Sequence, residues 1–533
     1  MAGVAWRALM FSAAAVTAAP LLVVFSAFLT PADDVWRHFA ETILAEIIIN
    51  TILLAAGVGF GSTILGVGLA WLIAVCDFPG RRFFSWALLL PLAMPAYVMA
   101  FVVIGLLDFA GPVQTTLREL AGAPLRGFPQ IRSRGGVILV LTLALYPYVY
   151  LLALNAFATQ GRRMLEAGRI LGLTSTQAFF RVAVPMARPW IAAGVALVLM
   201  ETLADFGTVA AFNYDTLTTA VYKAWYGLFS LPAASQIASL LVLVAFAALA
   251  IEQTTRARMQ FTAPQAAGAG GRIRLRGRQA GWASVVCSLV FALAFSVPLL
   301  QLIAWLAIQG VRDFDDRYLG YLWHTVLLAS VAAVCICTLA LLLGYANRRD
   351  AGAAARVAMR VATLGYAVPG AVLAVGIFAS FAWIDAHLPG WLRTTLGVHS
   401  GAMLQGSVLA MILAYVIRFL AVGFGPVDGA LHRITRNIEE AAVSLRHTGW
   451  RLLTRIHLPM LRGGLATGAI LVFVDVMKEM PITLMTRPFG WDTLAVRIFE
   501  LTSEGQWQQA ALPSVVLVAA GILPAIRLAR RAD

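Results

Sequence analysis

The chain has 533 residues, 60% of them hydrophobic and 12% charged, with a mean hydropathy of +0.82 and a formal net charge of +14. Soluble domains carry about 25% charged residues, so a soluble globular fold is excluded and a polytopic membrane protein is expected. The arginines fall in short loops beside apolar spans, a positive-inside pattern rather than a nucleic-acid-binding cluster.

Windows of about 20 apolar residues give an all-α protein of twelve spans, centred near residues 19, 60, 96, 147, 200, 243, 295, 335, 372, 413, 472 and 519. The first, from Arg7 to about Leu29, is read as an uncleaved span rather than a signal peptide, because the rest of the chain is membranous. With the N-terminus inside, about 27 Lys/Arg lie in cytoplasmic segments and about 11 in external ones, which predicts both termini in the cytoplasm. Gly57, Gly59 and Gly61 lie within the second span, where small residues let helices approach closely. Cys76, Cys287, Cys335 and Cys337 fall in or beside apolar spans, which argues against a disulfide framework or a zinc site.

The two halves of the chain repeat. Asn50-Thr51 and His324-Thr325, Pro95 and Pro369, Glu166 and Glu440, and Glu201 and Asp475 are each 274 positions apart. That shift passes six spans, an even number, so both halves share one orientation and are related by an axis along the membrane normal. The reading is a first membrane half at 1–255, a basic and flexible cytoplasmic connector at 256–282, and a second half at 283–533.

A polar loop is duplicated with the halves, at about 162–188 and about 433–462. In the first, Glu166-Ala167-Gly168 leads to Gly172, a left-handed stop for one short helix. Thr174 with Gln177 makes a capping box for the next, which carries Phe179, Phe180 and Val182 and closes at Pro185. In the second, Glu440-Ala441-Ala442 follows a capping box of Asn437 with Glu440, and Trp450, Leu452, Leu453 and Ile456 precede Pro459. Arg446 stands where Gly172 stands in the first half, with Gly449 three residues later, so the first helix here is expected to run a turn longer. Large apolar side chains on charged loops need cover, and their duplication at fixed spacing points to a docking element for a soluble partner.

Glu201 and Asp205 lie in the fifth span, and Asp475, Lys478 and Glu479 in the eleventh. Each costs about 2.5–3.5 kcal/mol near a helix centre, so they are expected to face each other or water. Residues four apart share a helix face, which makes these five candidates for the lining of a translocation path. Just beyond them Gly207 and Pro481 are expected as equivalent interruptions, weak spots that point to the pathway; the competing account has Lys478 neutralise Asp475 and the rest cap broken helices. Acidic oxygen ligands suit a hard cation, although no metal-ligand set is assigned.

Both loops resemble the EAA motif of ABC-importer permeases, whose Glu-Ala-Ala start, glycine and apolar-x-x-Pro ending form the helix that seats in an ATPase subunit. The resemblance implies coupling roles for Glu166, Ala167, Gly172, Val182, Pro185, Glu440, Ala441, Ala442, Ile456 and Pro459. The segments Glu201–Thr208, Asp475–Pro481 and Tyr146–Tyr150 further resemble the fused, twelve-span permeases of bacterial ferric-iron importers. That family implies an inner-membrane location, an iron-binding protein outside, this permease, and two copies of an ATPase inside. No cofactor is then bound by this chain, and ATP is used by the partner.

A Walker A loop needs a glycine-rich turn ending in Lys-Ser/Thr, and Lys223 and Lys478 are the only lysines, neither in such a setting. The chain is therefore not expected to be an enzyme. Two other readings stay open: a thiamine permease of the same layout, and a secondary transporter whose carboxylates bind a coupling ion. A membrane enzyme would need a constellation that the histidines do not supply; His324, His432, His447 and His457 show no ligand spacing and are expected at surfaces or interfaces.

Overall fold

A proline in a membrane helix leaves one carbonyl without its donor and forces the preceding residue out of the helical region. The repeat places such a break at the same point twice. In the computed structural model, 3₁₀ turns at Leu90–Ala93 and Leu364–Ala367 end at extended residues Met94 and Val368, and new helices start directly after Pro95 and Pro369. The span expected around residue 96 is thus interrupted where its centre was placed. Tyr146 and Tyr150 donate their hydroxyls to the Leu88 and Ser85 carbonyls, at 2.9 and 3.1 Å, and so satisfy backbone groups beside the first break.

The structure describes residues 2–29, 34–122, 127–170, 172–257, 272–309, 316–349, 352–387, 404–447 and 450–529, with the side chains of 2–4, 160–170, 175, 251–257, 316, 349, 436, 450, 453 and 523–529 outside that description. Among the described residues, eleven helices are long and apolar enough to cross a membrane, and Ala511–Ile522 is a shorter apolar stretch within helix Ala511–Ala529. The protein is all-α, with one two-residue parallel pair among the described residues, Cys76–Asp77 with Ile273–Arg274. This pair, and a helix starting at Arg278, give regular structure to the last residues of the connector expected to be flexible; 258–271 lie outside the described residues.

The helices fall into two compact units that cut across the repeat. One comprises Met1–Phe39, Val221–Val242 and Phe314–Arg497, the other Ala40–Ala220, Leu243–Asp313 and Ile498–Asp533. Each half therefore lends its opening span to the unit built mainly from the other half.

In the first unit, helix Ala2–Ser26 packs against Asp316–Arg349, Ala353–Ala362 and Gly370–His387. Thr17 donates to the Ala362 carbonyl at 3.3 Å. Gly376 lies against Pro20, whose carbonyl oxygen would be 2.5 Å from an added Cβ, so only glycine lets the two backbones meet. In the second unit, Trp305 of helix Val297–Gln309 stacks on Phe101 of helix Ala96–Leu107 with ring centres 6.1 Å apart. Helices Leu44–Val75 and Arg134–Ile170 form the main pair there; Gly61 faces Thr142 and leaves no room for a larger residue.

Candidate functional site

The duplicated loops share one spacing of helix end and left-handed residue. Helix Arg134–Ile170 ends four positions after Glu166, and helix Arg436–Ser444 ends four positions after Glu440. Gly172 then has φ +73° and Arg446 φ +59°. Arg446 thus takes the left-handed conformation that glycine serves in the first half, and the second loop's helix does not run a turn longer as expected. A β-carbon there costs about 1–2 kcal/mol.

Thr174 and Gln177 form the reciprocal capping box: Thr174 N donates to Gln177 Oε1 at 3.0 Å, and Gln177 N to Thr174 Oγ1 at 3.3 Å. The box expected of Asn437 and Glu440 is not formed. Thr435 is the N-cap of that helix and Asn437 lies inside it. Short helices Ser175–Ala178 and Trp450–Leu452 follow, then π-turns at Phe179–Ala183 and Leu453–His457, then the long helices Val184–Ala204 and Leu458–Lys478. Pro185 and Pro459 stand at the start of those long helices and supply no N–H. The wider turn reroutes the bonding across that gap, with Val184 N donating to Phe179 O five residues back.

On the second loop Glu440 and Ala441 are exposed, as are Val443, Leu445 and Pro459; Ala442 is buried and Ile456 half-buried. On the first, Gly172 and Phe180 are exposed, while Val182 and Pro185 are half-buried. The side chains of Glu166 and Ala167 lie outside the described residues.

Glu439, the neighbour of Glu440, faces inward. Its Oε1 is 3.1 Å from Arg348 Nη2 and 3.2 Å from His457 Nε2. His457, expected at a surface or interface, is 2% exposed and so not at an open surface, because the π-turn that carries it folds the imidazole under the loop. Nothing in the loop motif signals this trio, since Arg348 precedes Glu439 by 91 positions and His457 by 109.

The intramembrane acids sort into two kinds. Helix Val184–Ala204 stops at Asp205 and Leu458–Lys478 stops at Glu479, both with extended backbones, and short helices begin at Gly207 and Pro481. Asp205 Oδ1 accepts from Thr208 N and Val209 N at 3.0 and 3.1 Å, and Oδ2 from Thr208 Oγ1 at 2.8 Å. Glu479 Oε1 accepts from Ile482 N at 3.1 Å. Two carboxylates 274 positions apart thus cap the resumed helix in each half.

Glu479 has a further partner that the first half lacks. Arg418 Nε lies 3.4 Å from Glu479 Oε2, both side chains being 7% exposed, and Arg418 Nη1 donates to the Val368 carbonyl at the proline break, at 3.0 Å. Ala144 occupies the equivalent position of the repeat. Glu201, Asp475 and Lys478 are half-buried in the last turns of their helices, each set within its own unit. Among the described residues no three His, Cys, Asp or Glu side chains converge to hold a metal.

The repeat also appears in comparisons with known proteins. The family model described as binding-protein-dependent transport system inner membrane component matches residues 62–257 and again 336–533, two matches that begin 274 positions apart. The chain is 25% identical to Fe(3+)-transport system permease protein FbpB 2 of Haemophilus influenzae, over 92% of this chain and 90% of that one. It is 22% identical to ferric transport system permease protein FbpB of Actinobacillus pleuropneumoniae, over 91% of this chain and 71% of that one. A permease named for 2-aminoethylphosphonate transport, PhnV of Salmonella typhimurium, is 27% identical over 48% of this chain and 95% of its own length.

Proposed function

Because the chain belongs to the family of binding-protein-dependent transport system inner membrane components, we propose that it is the fused permease of an ATP-driven importer that carries ferric iron across the bacterial inner membrane. A soluble iron-binding protein delivers the cargo from outside. Two copies of an ATPase subunit dock inside, on the loops around Glu166–Pro185 and Glu440–Pro459, and both termini lie on that side. This chain binds no cofactor and hydrolyses no ATP.

The observation that carries this reading is the twin loop. Helix end, left-handed residue, short helix, π-turn and proline recur at one spacing in both halves. Each loop runs straight into a long helix, Val184–Ala204 or Leu458–Lys478, that ends at an intramembrane carboxylate. A push at the loop is thereby transmitted along about 30 Å of rigid helix, at 1.5 Å per residue, to the middle of the path. A secondary transporter accounts for acids in the membrane but not for paired loops that expose apolar residues such as Phe180 and Leu445.

At the path, Asp205 and Glu479 hold the helix breaks, and Glu201, Asp475 and Lys478 line the route. Iron as cargo rests on the FbpB relatives, which match nine-tenths of the chain. The test is uptake of radiolabelled ferric iron, thiamine and 2-aminoethylphosphonate into vesicles holding the permease, its ATPase and the loaded binding protein. ATP-dependent accumulation of iron alone is expected. Accumulation of either organic solute in place of iron would move the cargo assignment while leaving the importer reading in place.

A further inference from the structure

The halves differ at one place beside the second loop. Helix Arg134–Ile170 runs unbroken into the first loop, whereas its counterpart stops at His432 and resumes at Arg436. Thr435 is extended there, with φ −70° and ψ 157°. A helix end leaves carbonyls short of intrahelical partners, and in the second half Arg348 adds a donor to Leu431 O, which also accepts from Ile434 N at 3.1 Å, and serves Ile434 O at the break. Its Nη1 donates to Leu431 O at 2.7 Å and its Nη2 to Ile434 O at 2.6 Å, while Nη2 also meets Glu439. One guanidinium thus ties the last turn of one helix, the break, and the first turn of the loop helix.

The residue types explain why the first half does not break. The positions equivalent to Arg348, Glu439 and His457 are Ala74, Leu165 and Ala183, none of which has a side chain that can donate to a carbonyl or pair with a charge. In that half Trp71 packs edge-on against Phe157 and Phe179, with ring centres 5.3 and 4.7 Å away. The second half has Tyr345, Leu431 and Leu453 at those positions of the sequence, so the three-ring cluster has no counterpart. Beside the second loop lies instead a cavity of about 400 Å³, walled by Tyr345, Arg348, Asp428, His432, Glu439 and His457 among others.

We propose that residues 433–435 form a hinge present in the second half only, and that Arg348 is the positioning residue that latches it. The proposal rests on the reading of the second loop as an ATPase dock. The first loop then moves as one piece with its helix, and the second is set at a fixed angle by Arg348, Glu439 and His457. Loss of the latch lets the second loop swivel, so that force applied to it is no longer delivered to helix Leu458–Lys478.

The test has two readouts. Hydrogen exchange on the intact permease in nanodiscs reports the latch itself: Arg348→Gln is expected to lower protection of the backbone at 434–438 about tenfold, the worth of hydrogen bonds from a charged donor. Protection at 158–164 is expected to be unchanged, and Arg348→Lys to recover part of the loss. In the complex with its ATPase, Arg348→Gln is expected to retain the ATPase but to lower cargo moved per ATP hydrolysed. Should Arg348→Gln not insert, Glu439→Gln, which removes the charge that holds the Arg348 guanidinium against the loop helix, is expected to lower the same protection. Unchanged exchange at 434–438 in the inserted variant overturns the latch, as does an unchanged transport-to-hydrolysis ratio. A wild-type permease that retains no ATPase would instead overturn the docking reading and leave the exchange result standing.

Discussion

At the scale of single residues, chemistry placed by the repeat acquires different partners in each half. Asp205 satisfies its carboxylate with two backbone N–H groups and the Thr208 hydroxyl, whereas Glu479 divides its carboxylate between Ile482 N and Arg418. The longer side chain and the arginine belong together, since removing one member of a buried ion pair leaves the other uncompensated. The cap at Asp205 predicts that Asp205→Ala costs about 1–2 kcal/mol while Asp205→Asn, which keeps an oxygen acceptor, costs a few tenths. Thermal unfolding of the purified permease checks this. Equal losses in the two variants would remove the capping role and return Asp205 to the path lining alone.

These residue-level roles were only partly legible in the sequence. Spacing identified the carboxylates, Gly172, and the Thr174–Gln177 box, because each is a local signal within a few residues. It could not identify Arg348, Arg418 or His457, whose partners are distant in the chain and absent from the other half. Arg446 misled for a physical reason: a left-handed residue is expected to be glycine, yet the surrounding turn holds an arginine there at φ +59°.

At the scale of elements, the 274-residue shift proved the most informative signal, since it maps 3₁₀ turn onto 3₁₀ turn, π-turn onto π-turn and long helix onto long helix. Hydropathy placed the spans but not their interruptions, because a window of apolar residues reads the same whether or not Pro95 splits it. Nor could it reveal that each opening span serves the unit formed mainly by the other half, because packing partners leave no periodic trace. That exchange makes Gly376 a contact point. Gly376→Leu would drive a side chain into the Pro20 backbone and is expected to cost about 1–3 kcal/mol by overpacking. Gly68→Leu, where an added Cβ meets nothing within 4 Å, is the matched control. Melting of the two variants in the same detergent checks it, and equal melting temperatures would contradict the packing of helix Ala2–Ser26 described above.

At the scale of the whole molecule, a duplicated bundle that carries no nucleotide-binding loop presents two matched loops, each continuous with a long helix that ends at a capped break. Beside the loop stands an aromatic cluster in one half and an ionic group of Arg348, Glu439 and His457 in the other. The account stands on the loops being the sites where the ATPase holds the permease. Its most direct test is retention of a co-expressed ATPase subunit on purified permease carrying Glu166→Arg and Glu440→Arg, singly and together. Partial loss with each change and near-complete loss with both, from a permease that still elutes as the folded species, is the result expected. Full retention by the doubly substituted permease would contradict it.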